Sequence, residues 1–290
     1  MSLERLLEIH RSGLYATLPL HQIDSVYTLT KATLLTQLSD FERFTLLELQ
    51  FYLTLTMGLD IEAKHCLDLI CDRFDITKSE RICVLKSVYV EATTGSTLRE
   101  VSDGLVKDAK ELVRLSNIAK SSMGGKLNIM QDLMAVTKRV VALHHEDVKE
   151  YTEKLALFLD LQPLDTESWY EMSEVYLANG NTDQAIHCLS EILLTEPFAY
   201  NVWSRIGEVQ LMTGFKTSDS QRFEEAKRHF ARSCELCETY HRGWLGLLES
   251  AKRLGDKKLV ELSRTQLDKI VSGKLTSAEN IDKISQILAN

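Results

Sequence analysis

Three short strings carry residue types that perform chemistry in other chains. Cys234-Glu-Leu-Cys237 has the spacing of one half of a zinc site, in which two thiolates on a single turn supply two of four tetrahedral ligands. A lone pair of this kind is a weak signal, because closing the site needs a second pair nearby. His144-His145-Glu146 has the start of a metalloprotease helix motif, yet the position four beyond His145 is Lys149, so the second histidine ligand is missing. Gly124-Gly125-Lys126 resembles the end of a phosphate-binding loop, but Lys120 stands where the first glycine belongs and Leu127 replaces the Ser or Thr that would hold magnesium.

No Gly-x-Ser-x-Gly elbow is present, and no pair of carboxylates stands out from the many others. The chain reads as a non-enzyme with no cofactor, no metal and no catalytic residue. Forty-two acidic against 34 basic side chains give a formal net charge of -8. Without a basic stripe, nucleic acid is an unsuitable partner, and anionic lipid headgroups find nothing polybasic to attract. Charges at Glu4, Arg5 and Glu8 break every apolar run at the start, which is unlike a signal peptide. The most apolar window, Phe44 to Ile61, contains Glu48, Gln50 and Asp60, so no spanning helix is expected. Six scattered cysteines (Cys66, Cys71, Cys83, Cys188, Cys234 and Cys237) and the absence of any Asn-x-Ser/Thr site fit a reducing, cytosolic setting.

The elements that position these residues are set by a repeat. The only tryptophans, Trp169, Trp203 and Trp244, are separated by 34 and 41 residues, the second gap being one period plus seven residues assigned to a loop in the polar stretch Thr217 to Arg222. A period of 34 is the tetratricopeptide signature of stacked helix pairs. With three prolines in 290 residues, the expected fold is all-α, a tetratricopeptide-repeat right-handed superhelical solenoid of antiparallel helix pairs. In the unit from Thr166, Met172 and Tyr176 share the Trp169 face, Gly180 opens the turn, Ala185 takes the close approach of the two helices, Leu189 and Ile192 complete the second helix, and Pro197 ends it. The unit from Tyr200 repeats this with Trp203, Ile206, Gly207 and Gly214, then Ala226 and Phe230, with Gly207 expected against Ala226. The unit from His241 keeps Trp244, Leu247 and Gly255, but has Val260 at the small-residue position and Glu238 where the preceding proline would be.

Upstream, Pro163 precedes Pro197 by 34, and Leu155 and Phe158 match Leu189 and Ile192. Gly58, Ala63, Leu67 and Ile70 hold the same positions in a unit over 44–77. Ile82 to Leu115 is helical in period, and Ser121 to Gly125 reads as a loop. The expected organisation is one solenoid over 1–290: an N-terminal helical cap at 1–43, degenerate pairs over 44–130, consensus-like units at about 132–165, 166–199, 200–240 and 241–256 onward, and capping helices over 257–290. In such an array, adding His187-Cys188 or His65-Cys66 to the Cys234 pair would fold the solenoid back on itself, so the cysteines read as buried helix residues.

One surface pattern survives. Five residues after each tryptophan stand Glu174, Glu208 and Glu249, a predicted ladder of carboxylates on the groove face of the first helices. Tyr170 and Ser204, one after their tryptophans, and Arg242, two before its own, are expected beside it. Glutamate is also a common surface helix former. Read functionally, the ladder takes a basic or amide-rich segment of a partner protein.

Three strings, Glu-Ser-Trp-Tyr-Glu-Met-Ser-Glu-Val-Tyr at 167–176, Ala-Ile-His-Cys-Leu-Ser-Glu-Ile-Leu-Leu-Thr-Glu-Pro at 185–197 and Ala-Arg-Ser-Cys-Glu-Leu-Cys-Glu-Thr-Tyr-His-Arg-Gly-Trp at 231–244, resemble subunit 2 of the endoplasmic reticulum membrane protein complex. The resemblance covers about 145–270 in sequence detail and the rest of the chain in length and helical pattern. It implies a peripheral scaffold on the cytosolic face of the endoplasmic reticulum membrane, holding cytosolic segments of the membrane subunits of an insertase for tail-anchored and multi-pass proteins. In some lineages it implies pairing with a small soluble subunit. The alternative for such an array is a free adaptor or co-chaperone that binds peptides transiently.

Overall fold

The described residues of a computed structural model, 2–74, 79–119 and 133–289, form fifteen α-helices and one 3-10 turn, Leu14–Ala16, with no strand among them. The string Gly124-Gly125-Lys126 and the expected loop from Ser121 to Gly125 lie outside the described residues. Contacts divide the chain into two compact units, Met1–Lys154 and Leu155–Asn290.

The first unit contains α1 (Leu3–Arg11), α2 (Leu20–Thr33), α3 (Asp40–Thr56), α4 (Asp60–Arg73), α5 (Glu80–Thr93), α6 (Leu98–Ala119) and α7 (Met134–Ala142), and α8 (Val148–Leu161) spans the point of division. Ser39 starts α3 with a reciprocal capping box to Glu42, which satisfies two of the helix's orphan N–H groups. Gly58 turns the chain into α4 at φ 71, a left-handed conformation that costs glycine nothing. Ala63, Leu67 and Ile70 are then buried against Leu47 and Phe51 of α3. Two of the three polar residues singled out in the most apolar window are themselves buried, Glu48 and Gln50 on α3, whereas Asp60 is exposed at the start of α4. Glu48 receives Arg81 through Nε at 3.0 Å and Nη2 at 2.7 Å, with His10 Nε2 at 3.7 Å.

The second unit holds α9 (Thr166–Ala178), α10 (Thr182–Thr195), α11 (Tyr200–Thr217), α12 (Ser220–Leu236), α13 (His241–Leu254), α14 (Lys257–Ser272) and α15 (Ala278–Ala289). Aspartates begin three of these helices, Asp165 accepting from the Ser168 N–H, Asp219 from Gln221 and Asp256 from Leu259. Gly180 and Gly255 take left-handed φ values of 78 and 73 at their turns. Ala185 and Ala226 are fully buried, as a close helix approach requires.

Each tryptophan ties the turn that leads into its own helix. The Trp169 indole N–H donates to the Pro163 carbonyl at 2.8 Å, Trp203 to Pro197 at 2.9 Å and Trp244 to Glu238 at 2.8 Å. A backbone oxygen is the acceptor each time, so the replacement of proline by Glu238 leaves the bond intact. The rings also lean on the second helix of their pair, Trp169 against His187 and Trp203 stacked on His229.

Two expectations are corrected here. The seven extra residues do not form a loop: α11 has 18 residues against 13 in α9, and α12 has 17 against 14 in α10. The turn between them is only Ser218 and Asp219, with Ser218 at φ 56. The polar stretch that reads as a loop is the solvated end of two longer helices. Gly214 consequently opens no turn; it sits inside α11, where an added Cβ would lie 2.9 Å from the Phe223 ring. Gly207, expected against Ala226, packs on the Phe230 ring one turn further along α12, its Cβ position lying 3.0 Å from that ring. Gly246, on α13, approaches the other side of the same ring, with a Cβ position 2.2 Å away.

Phe230 is fully buried between these glycines, so the ring cannot retreat into solvent. Gly246→Ala is expected to destabilise the chain by about 3 kcal/mol or more, and Gly207→Ala by about 1 kcal/mol, as overpacking does. Urea unfolding checks the order, and Phe230→Leu should recover part of the Gly246→Ala loss. In the first unit, burial raises the Glu48 carboxyl pKa, but hydrogen bonds from His10 and Arg81 outweigh it, leaving Glu48 below its ordinary value of 4.5. The stability it contributes is complete above that value and is lost as pH falls through the lower folded one. Glu48→Gln should therefore lose less stability than the parent chain between about pH 5 and about pH 3.

Candidate partner-binding surface

Two of the three catalytic-looking strings, those within the described residues, resolve into structural roles. Cys234 is buried in the core of the second unit with Phe230 and Trp244. Burial pushes its thiol up to about 12, so the thiolate that a metal needs is disfavoured. Cys237 Sγ lies 3.5 Å from the Thr239 hydroxyl. His144 and His145 direct Nδ1 to the carbonyls of Val140 and Ala142 at 2.7 and 3.0 Å, closing the end of α7, and His144 Nε2 is 3.4 Å from Glu150. Among the described residues, no group of three or more His, Cys, Asp or Glu side chains is placed to hold a metal. Among the same residues, no helix is long and apolar enough to cross a membrane.

The predicted glutamates lie on the first helices of successive pairs, with arginines between them. Arg205, on α11, reaches back to Glu174 on α9 with Nη2 at 2.8 Å from Oε1, and along its own helix to Glu208 with Nη1 at 3.0 Å from Oε2. Glu208 in turn accepts a two-pronged contact from Arg242 on α13, Nε to Oε1 at 3.0 Å and Nη2 to Oε2 at 2.9 Å. The result is a row of alternating sign, Glu174, Arg205, Glu208 and Arg242, running across three helices. Burial works against charge on Arg205, yet its hydrogen bonds to Glu208 and Glu174 hold it more firmly protonated than an ordinary arginine. Glu249 stands two turns beyond Arg242 and pairs with Arg253 of its own helix at 3.1 Å. Arg253 also lies over the ring of Phe215 at 4.6 Å, so the lengthened end of α11 is tied to α13. The carboxylates are therefore matched by arginines, and the face is close to neutral where a bare acidic ladder was expected.

Tyrosines flank this row. Tyr170 is 42% exposed, and its hydroxyl pKa is raised first by partial burial and then by the Glu174 charge. Tyr200 and Tyr240 meet edge to face at 4.9 Å, and burial raises the Tyr240 pKa as well. Ser204 is a correction. It holds the same phase as Tyr170 but is fully buried, because its small side chain ends beneath the packed helices where a tyrosine projects beyond them. It offers no contact to a partner.

Arg205 is the residue that sequence reasoning missed. It lies two after Trp203, 31 residues beyond Glu174, so the pairing reads only once the repeat phase is combined with an i,i+3 step to Glu208. Arg205 is the half-buried link, whereas Arg242 is largely exposed. Arg205→Met should cost about 1 kcal/mol and Arg242→Met less than about 0.5 kcal/mol, both by urea unfolding, with the difference shrinking in concentrated salt.

No protein-family model matches the chain. It is 29% identical over 224 residues to the TPR repeat protein oca3 of Schizosaccharomyces pombe, spanning 77% of this chain and 69% of that one. It is 28% identical over 269 residues to ER membrane protein complex subunit 2 of Saccharomyces cerevisiae, spanning 86% and 82%. Subunit 2-A of the same complex from Xenopus laevis is 26% identical over 123 residues, 40% of this chain and 39% of that one. Among solved structures, the C-terminal part of a TPR repeat-containing protein from Cytophaga hutchinsonii aligns with a TM-score of 0.51 over 97% of this chain and 98% of that one, at 10% identity. The helix pairs, the repeat phase and these similarities lead to one conclusion: the chain has an all-α tetratricopeptide-repeat fold and is similar in sequence to subunit 2 of the ER membrane protein complex.

Proposed function

We propose that this chain is a scaffold subunit of an ER membrane protein complex, a peripheral component on the cytosolic face that holds cytosolic segments of membrane-embedded subunits. The observation that carries this reading is the row Glu174, Arg205, Glu208 and Arg242 with Tyr170 and Tyr200 beside it. Tyrosine and arginine are the side chains that anchor protein interfaces, because they bring large area and several donors at modest entropic cost. Partners meet guanidinium groups already held in place by carboxylates, so less freedom is lost on contact. Glu249 and Arg253 extend the same face along α13. The similarity to a complex subunit over most of both chains supports the assignment of partners. Through them the chain would serve insertion of tail-anchored and multi-pass proteins, and a small soluble subunit would be a further neighbour. A row of near-zero net charge favours a partner segment of mixed or amide-rich character over a purely basic one.

The test is recovery of a tagged copy from detergent extract. Multi-spanning subunits of the endoplasmic reticulum should co-purify, and Tyr170→Ser should reduce that recovery by about tenfold, the scale of losing an interface anchor, at unchanged melting temperature. Recovery of no membrane subunit, with the protein sedimenting as a free 33.0 kDa species, would instead identify an unattached adaptor.

A further inference from the structure

The first unit contains a cavity of about 630 Å³ lined by the end of α2, by α3 and by α4. That volume lies in the range of sites that hold a ligand or an anchoring side chain. Its apolar walls are built from Leu35, Phe44, Leu47 and Leu69, with Lys31, Arg43, Glu62 and His65 among them. Leu35 is 88% exposed, which is unusual for a leucine at the mouth of an apolar recess. Within this lining sits Gln50, only 3% exposed, whose Oε1 has no hydrogen-bond partner. Native folds rarely bury an acceptor without a donor, so the position calls for an explanation. The oxygen itself is shielded from solvent, and because the terminal amide torsion of glutamine is broad, rotation of the amide would turn it toward the cavity.

The rim specifies charge. Lys31 is already paired with Glu62 at 3.0 Å, and Glu62 also accepts from the Tyr27 hydroxyl at 2.7 Å. Arg43 lines the same cavity and makes no ion pair among the described residues. A suitable occupant thus has an apolar body, one donor for the Gln50 oxygen and negative charge near Arg43. Tryptophan is the side chain with a large apolar ring and a single donor, leaving no acceptor of its own unsatisfied inside the recess. The chain's own three indoles are each committed to a carbonyl elsewhere. We propose that this cavity is a docking site for a tryptophan of a partner polypeptide flanked by acidic residues, with the indole N–H donating to Gln50 Oε1 and the acidic flank facing Arg43. The site involves α2, α3 and α4 alone and stands whatever assembly the chain serves.

Fluorescence anisotropy on the full chain tests it with two labelled peptides, Leu-Glu-Trp-Leu-Asp-Glu and the same sequence with Phe for Trp. The tryptophan peptide should bind saturably and about tenfold more tightly than the phenylalanine peptide, the value of one hydrogen bond to a desolvated acceptor. Gln50→Leu, which removes the unpaired oxygen and keeps the fold, should abolish that preference. Leu35→Asp, at an exposed position, should weaken both peptides. Absence of saturable binding, equal affinity of the two peptides, or a preference that persists in Gln50→Leu would each overturn the proposal.

Discussion

The second unit depends on one hydrogen bond made three times. An indole N–H one turn into each first helix reaches back six residues to a main-chain carbonyl, and so sets the angle at which one helix pair hands the chain to the next. Proline at the acceptor position stops the preceding helix, but the bond itself asks only for a carbonyl. That separation of duties explains why Glu238 can stand in a proline's place while the helix that follows keeps its orientation. The charged row across α9, α11 and α13 inherits its spacing from this bond. Glu174 meets Arg205, and Glu208 meets Arg242, only because successive first helices are presented at matching heights.

Much of this was legible in the chain. Residues that serve geometry recur at a fixed phase whatever surrounds them, and the left-handed turns at Gly180 and Gly255 and the buried Ala185 and Ala226 follow directly from that phase. The losses have physical causes. Ser204 and Tyr170 share a phase, but side-chain length decides whether that phase ends under the neighbouring helices or outside them. The stretch from Thr217 to Arg222 is polar because it is solvated, and solvated helix ends and loops have the same composition. Ion pairs between helices leave no periodic trace when each partner occurs once, so Arg205 was invisible until its neighbours had coordinates. Gly246 was missed because its close approach to Phe230 joins α13 to the helix just before it, at a position to which the repeat phase assigns no small residue.

Both units carry buried polar atoms, some partnered and some not. In the second, Ser233 donates to the Tyr200 carbonyl on another helix and Ser250 to Gly246 on its own, while the hydroxyls of Ser168, Ser204 and Ser263 are buried without a partner. In the first, α3 carries a carboxylate and an amide into its interior face. Glu48 finds Arg81 and His10, while Gln50 is left with an unused oxygen on the wall of a recess. Two polar residues separated by one position thus meet different fates, because one meets Arg81 and His10 and the other is buried with no donor to its oxygen.

Phe230 gives the second unit a mechanical character. Its ring is seated between two backbone notches, Gly207 on one flanking helix and Gly246 on the other, and is closed off from water. A ring held in this way fixes the axial position of α12: the helix cannot slide lengthwise without driving the ring into main-chain atoms at one notch or the other.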